Sequence, residues 1–317
     1  MRRSRPNPPA RRRRADAPAV IRFACATLRP LRRAADAGCC LAVALLLATA
    51  LSASAGPMQR TQDFIEVRGS RLYVDISGKG SPVVFLHGGL HHFDNTFAKQ
   101  RDEFALSHTV IGIDQRGHGH SPDDARPFSY EDMAEDTAEV IRFLQLGAVD
   151  IVGHSDGGDV GLKLARFHPD LVRRIVVSGA NLRAGLPQDE LQVRQHWSAP
   201  QLTEFLMKFE QRLPPSFRTE YQAVTPDGAA HWSVVLAKSY RLWLTPVVMD
   251  SADLAAIRAP VLVIAGDSDF PSIEETAEIF RGLRNARLFI VPGAGHGTFS
   301  DQPELVNLAI RQFLDAP

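Results

Sequence analysis

The chain has 317 residues, 44% of them hydrophobic, enough for one large α/β domain with an insertion. Its 36 basic and 36 acidic residues balance, but residues 1–55 hold eleven Arg against two acids, so the remainder carries 25 basic and 34 acidic side chains, a net of −9. That excess of acid argues against nucleic-acid binding by the folded part, which would lack a basic face for phosphate. All three cysteines, Cys25, Cys39 and Cys40, lie in the leading stretch, so the rest can hold neither a disulfide nor a thiol nucleophile.

Residues 1–38 are rich in Arg, Pro and Ala, show no sustained apolar period and are assigned no fold. Residues 39–51 are thirteen uncharged, mostly apolar residues that run into Ser-Ala-Ser-Ala55-Gly. A basic start, a short apolar core and an Ala53-x-Ala55 end read as a secretory signal peptide, because a spanning helix needs ~20 apolar residues. The expectation is export to the periplasm with a mature chain from Gly56 and no stable membrane span. An uncleaved anchor and a cytoplasmic chain are the alternatives. Residues 56–180 and 247–317 are expected to form one core, interrupted by a helical cap at 181–246.

From Phe64 the pattern changes. Residues 64–68 and 72–76 read as two strands joined at Gly69-Ser70, an opening hairpin. Residues 82–86 form an apolar strand ending in His87-Gly-Gly89, and 110–113 form another ending in Asp114-Gln-Arg-Gly-His-Gly-His-Ser121. Ser129 can cap a helix in which Met133, Val140 and Leu144 keep the helical period, and Gly147 stops it. Val149, Ile151 and Val152 form a buried strand that runs into Gly153-His-Ser155-Asp-Gly157, and Val160, Leu164 and Phe167 recur at helical spacing behind it. Further strands are expected at 175–177, 261–265 and 288–291, with helices at 274–283 and from Pro303 to about Leu314. This alternation implies a mostly parallel sheet covered on both faces.

Residues 181–246 break the alternation. They hold helical segments, proline breaks at Pro200 and Pro214-Pro215, and all three tryptophans, Trp197, Trp232 and Trp243. An insertion there sits over the carboxyl ends of the strands, where open α/β sheets bind ligands. Two readings of it stand and can hold at once: a helical excursion with a small core of its own, and a lid whose aromatic underside forms the acyl or leaving-group pocket.

A serine between glycines is usually an ordinary turn, but a strand before it and a helix behind it make a nucleophile elbow, in which the turn is so tight that side chains at Gly153 and Gly157 would clash. Five ordered motifs carry a resemblance to the α/β-hydrolase fold superfamily over residues 64–313. They are His87-Gly88-Gly89, Asp114-x-Arg116-Gly117-x-Gly119-x-Ser121, Gly153-x-Ser155-x-Gly157, Gly266-Asp-Ser-Asp269 and Gly293-Ala-Gly-His296. The fold this resemblance implies is an eight-stranded, mostly parallel sheet flanked by helices with a helical cap. Its chain order of serine, acid and histidine is met by Ser155, Asp269 and His296. The family pattern Gly-x-x-Asp favours Asp269 over Asp267, which would shape the loop through nearby backbone. Relatives that place the acid after the sixth strand find no counterpart in Ser178-Gly-Ala-Asn181.

An oxyanion needs backbone donors. The resemblance assigns one to Asp156, directly after the nucleophile, and the other to Gly89, with Leu90 as alternative. The expected activity is hydrolysis of a small-molecule carboxylic ester through an acyl-enzyme. Amide hydrolysis, lactone opening, carbon–carbon hydrolysis and perhydrolysis use the same triad, and a ligand-binding receptor with slow turnover is the alternative outside enzymes. No cofactor is implied. His91, His92, His118 and His120 suggest zinc, but no carboxylate or thiolate completes a recognisable ligand spacing; His118 and His120 are read as shaping the turn after the fourth strand, the adjacent His91-His92 pair cannot both point the same way, and no metal is expected. For the Asp156 side chain two accounts stand: an acid at the positive end of the helix that follows, or a group that attracts a substrate amine.

Overall fold

In the computed structural model the described residues are 60–316. The expected leader, with its cleavage after Ala55, lies outside them. Eight strands form one sheet: β1 (Arg60–Val67), β2 (Ser70–Gly78), β3 (Ser81–Leu86), β4 (His108–Ile113), β5 (Val149–His154), β6 (Val172–Ser178), β7 (Val261–Gly266) and β8 (Ala286–Val291). Their order is β1-β2-β4-β3-β5-β6-β7-β8, with β1–β2 and β2–β4 antiparallel and every other pair parallel. The expected opening hairpin is present, each strand a few residues longer than its apolar centre.

The strands hold because alternate side chains feed two apolar layers. On β3, Val84 and Leu86 join one core while Val83 and Phe85 join the other. The first layer packs under α2 (Tyr130–Phe143) and α3 (Asp156–Phe167) through Met133, Val140, Ile141, Val160 and Leu164. The second packs under α1 (Phe93–Phe104) and α11 (Pro303–Leu314) through Phe93, Phe97, Phe104, Val306, Ile310 and Phe313. Ser129 caps α2 as expected, accepting from the Asp132 N–H. Helix α1 has no counterpart in the sequence reading.

Between β6 and β7 the chain leaves the sheet and forms α4 (Gln188–Gln195), α5 (Ala199–Glu210), α6 (Pro215–Val224), a 3₁₀ turn (Ala229–His231), α7 (Trp232–Trp243) and α8 (Ser251–Ala256). Pro200 and Pro215 do not break helices here. They stand in the first turns of α5 and α6, where the missing N–H would have had no partner. After β7 come α9 (Ile273–Gly282), then β8, α10 (Thr298–Asp301) and α11. Among the described residues no helix is long and apolar enough to cross a membrane.

From β3 the chain crosses to β4 on one side and then returns to β5 on the other. The ends of β3 and β5 therefore flank the crevice where the strand order reverses, the place an open α/β sheet offers a ligand. The His87-Gly-Gly89 loop and Ser155 meet there, beneath the insertion.

Candidate active site

Ser155 follows β5 directly and precedes the first residue of α3, with φ 51° and ψ −123°, a conformation that costs a non-glycine residue energy. Its N–H donates to the Ser178 carbonyl at 2.7 Å, and its carbonyl accepts from Gly158 at 2.7 Å and Asp159 at 3.1 Å, so both neighbouring elements fix the turn. The flanking glycines are steric requirements. A Cβ on Gly157 would collide with the Leu86 carbonyl, and one on Gly153 with the Gly157 carbonyl. Asp156 is the first residue of α3, where an N–H has no carbonyl of its own helix to bond.

His296 comes from the loop after β8, and its Nδ1 lies 2.7 Å from Asp269 Oδ1 in the loop after β7. The Asp269 carboxylate is fully buried while the imidazole stays partly open. Asp267 points elsewhere: its Oδ2 accepts from the Gly293 N–H at 3.0 Å, the loop-shaping role expected of it. The His296 ring packs 4.1 Å from the Phe270 ring and 4.8 Å from that of His154, the residue before Ser155. Sequence reasoning passed over Gly179, at the end of β6. With φ +63° it turns the chain away beneath the imidazole, and a Cβ there would stand 2.8 Å from His296 Cε1 and 3.3 Å from Asp269 Oδ2.

Gly88 and Gly89 lie against the elbow. A Cβ on Gly88 would stand 3.2 Å from Ser155 Cβ, and one on Gly89 would press on Asp156 Oδ2 and stand 2.9 Å from Trp243 Cζ2. Leu90 takes φ 62°, a second strained residue, and the His91 N–H closes the turn onto the Gly88 carbonyl at 3.2 Å. His87 anchors the loop from below: its Nε2 accepts from the Gln115 N–H at 2.9 Å and its Nδ1 lies 2.8 Å from the Gly88 carbonyl oxygen.

The other histidines divide as their neighbours dictate. Burial lowers His87 to about 3 and His91 and His118 to about 4, and it lowers His154 well below its usual value, so these imidazoles are neutral at pH 7. His91 and His92 point apart, His91 packing 4.4 Å from Phe217 of α6. His92, His120 and Asp114 converge, with possible ligand atoms all within 4.8 Å of one another, a carboxylate that motif spacing did not reveal. That carboxylate is already engaged: Oδ1 accepts from the Phe93 N–H at 2.8 Å, and Oδ2 from the His120 N–H and Nδ1, each at 2.9 Å. Ser121 Oγ donates to the Asp114 carbonyl at 2.6 Å and accepts from the Tyr73 N–H at 2.8 Å. The motif after β4 is thus a hydrogen-bonded brace that fixes the start of α1 and the edge of the crevice.

The Asp156 side chain is buried. Its Oδ1 accepts from Tyr130 OH at 3.0 Å, and the Trp243 indole N–H donates to Oδ1 and Oδ2 at 3.1 and 3.0 Å. Burial raises its pKa against the lowering effect of these bonds. Neither Tyr130 nor Trp243 was foreseen as its partner.

A family model described as "Alpha/beta hydrolase family" matches residues 83–309. Over 263 residues the chain is 31% identical to an esterase of Mycobacterium tuberculosis, covering 75% of this chain and 84% of that one. It is 29% identical over 266 residues to a 2-(acetamidomethylene)succinate hydrolase of Mesorhizobium japonicum, covering 77% and 92%. Among solved structures, an esterase from Exiguobacterium antarcticum superposes with a TM-score of 0.65 at 26% identity, over 81% of this chain and all of that one.

Proposed function

We propose that this chain, which belongs to the alpha/beta hydrolase family and is a hydrolytic enzyme, cleaves a small-molecule carboxylic ester through an acyl-enzyme formed on Ser155. The observation that carries the reading is the convergence at one crevice of a strained serine at a helix start, a Gly-Gly loop beside it, and a histidine bonded to a buried acid.

A serine hydroxyl attacks a carbonyl only if a base removes its proton. In this reading Ser155 Oγ attacks the ester carbon as His296 Nε2 takes the proton, and Asp269 holds the tautomer in which Nδ1 carries hydrogen. The negative charge that forms on the carbonyl oxygen is met by the N–H of Asp156 and that of Gly89, or of Leu90 next to it. Collapse expels the alcohol, which takes its proton from His296. Water then enters, gives a proton to His296 and attacks the acyl carbon. The acid leaves, the proton returns to Ser155, and the enzyme is restored. The neutral, buried His87, His91, His118 and His154 do not compete for the base's role, because their protonation is suppressed at the pH where Ser155 must be activated.

Rapid mixing with p-nitrophenyl acetate tests the scheme. A burst of p-nitrophenol equal to the enzyme concentration, absent from Ser155→Ala, is the expected result; hydrolysis that persists in Ser155→Ala would refute the acyl-enzyme. Export is proposed from the apolar run at 39–51. Expression of the full chain in a Gram-negative host should yield periplasmic protein beginning at Gly56, and full-length protein in the cytosol would count against it.

A further inference from the structure

One aromatic side chain of the insertion stands beside the nucleophile, and an acid of the sheet-packed core holds it there. Trp243, the last residue of α7, reaches the first residue of α3 with its indole N–H shared between both Asp156 oxygens, while Tyr130 of α2 donates to Oδ1. Gly88 and Gly89 lie between the two: the missing side chain of Gly88 faces Ser155 Cβ, and that of Gly89 leaves room for both the indole edge and the carboxylate. Consecutive Cα atoms are ~3.8 Å apart, so indole and nucleophile flank one short stretch of loop. The ring is backed by Phe209 of α5, with centroids 6.2 Å apart, and Phe209 in turn packs 5.7 Å from Tyr240. The indole is only part-buried, and it is gripped at its nitrogen and supported behind.

From this juxtaposition we propose that Trp243, held by Asp156 and Tyr130, is a wall of the acyl site and limits the bulk of the acyl group at the carbon next to the scissile carbonyl. The inference rests on the ester-hydrolase reading. A carbonyl oxygen placed at the Asp156 and Gly89 N–H groups puts its acyl substituent near the glycine pair. Straight chains can run past the indole edge; a quaternary or ring-bearing carbon meets it. Asp156 is then a positioning residue through its side chain, separate from the part its N–H plays. Asn in its place keeps an oxygen able to accept from both Tyr130 and Trp243, whereas Ala removes the tie.

The test compares full-chain parent, Trp243→Ala, Asp156→Asn and Asp156→Ala, measuring kcat and KM on p-nitrophenyl acetate and p-nitrophenyl pivalate, with Ser155 labelling by a small fluorophosphonate in the same preparations. The expected parent strongly prefers acetate. Trp243→Ala should raise the pivalate-to-acetate ratio of kcat/KM at least tenfold, Asp156→Ala should raise it in the same direction by freeing the indole, and Asp156→Asn should keep the parent ratio. Equal changes on both esters in Trp243→Ala and Asp156→Ala, with Ser155 still labelled, would overturn the wall and leave the esterase reading standing. A parent that neither hydrolyses acetate nor labels at Ser155 would sink the esterase reading and this inference with it.

Discussion

Asp267 and Asp269 lie two positions apart in one loop, and their bonds give them different work. Asp269 faces the His296 imidazole from a fully buried position, while Asp267 holds the backbone at Gly293. Asp269→Asn should therefore cost at least about a hundredfold in kcat by permitting the wrong tautomer, whereas Asp267→Asn should cost far less and act mainly through loop stability. Steady-state kinetics on one ester decides between them, and a larger loss at Asp267 would reverse the assignment. Asp159 makes a different kind of prediction. It is fully buried in α3, one oxygen accepts from the Asn181 N–H at 2.9 Å, and the other has no partner. Burial, with Asp156 nearby, raises its pKa well above the usual value. The folded state thus holds a proton that the unfolded chain releases near pH ~3.9, so the stability this group contributes is present below that pH and is lost as pH rises through the folded value. Asp159→Asn removes the titration. Its Tm relative to the parent should climb from pH 4 to pH 8, and a flat difference would mean that the acid is not protonated in the fold.

Among the elements, the end of β6 carries the sharpest constraint that the sequence did not declare. Gly179 was legible only as part of a segment without a carboxylate. Its real task depends on a histidine 117 residues later, whose ring occupies the space a Cβ would need. Gly179→Ala combines a left-handed backbone cost of ~1–2 kcal/mol with displacement of the imidazole, so kcat/KM should fall at least tenfold, because small misplacements of catalytic groups are expensive. Unchanged kinetics would show that His296 has another seat. Where local pattern decides an element, it was readable: β-branched runs gave the parallel strands, and Ser129 announced α2. Where packing decides, it was not. Helix α1 buries Phe93, Phe97 and Phe104 at helical spacing, yet Gln100 interrupts the stripe, and that side chain is tolerated inside because it donates to the Phe299 carbonyl and Asn307 Oδ1. The prolines of the insertion read as breaks because Pro stops a helix from within and starts one equally well.

At the scale of the whole molecule, the crevice where the strand order reverses brings Ser155, the Gly88-Gly89 loop and, from beyond a long helical insertion, His296 and Asp269 together at the carboxyl ends of the parallel strands. Ordered motifs made this constellation legible in the sequence, since each motif sits at the end of a strand and the order of strand ends follows from the fold. The partnership of Asp156 with Tyr130 and Trp243 was not legible, because it joins residues 26 and 87 positions apart through side-chain direction alone. It also changes what that acid is expected to do: with both oxygens bound by neutral donors, the carboxylate is tied to the insertion rather than left open to a substrate amine. The account as a whole depends on a reactive serine at the elbow. The most direct measurement is mass-spectrometric mapping of the folded protein after reaction with a fluorophosphonate. The account predicts one equivalent on the peptide containing Ser155, lost in Ser155→Ala and strongly slowed in His296→Ala; labelling of a different residue, or none on a folded and unmodified protein, would contradict it.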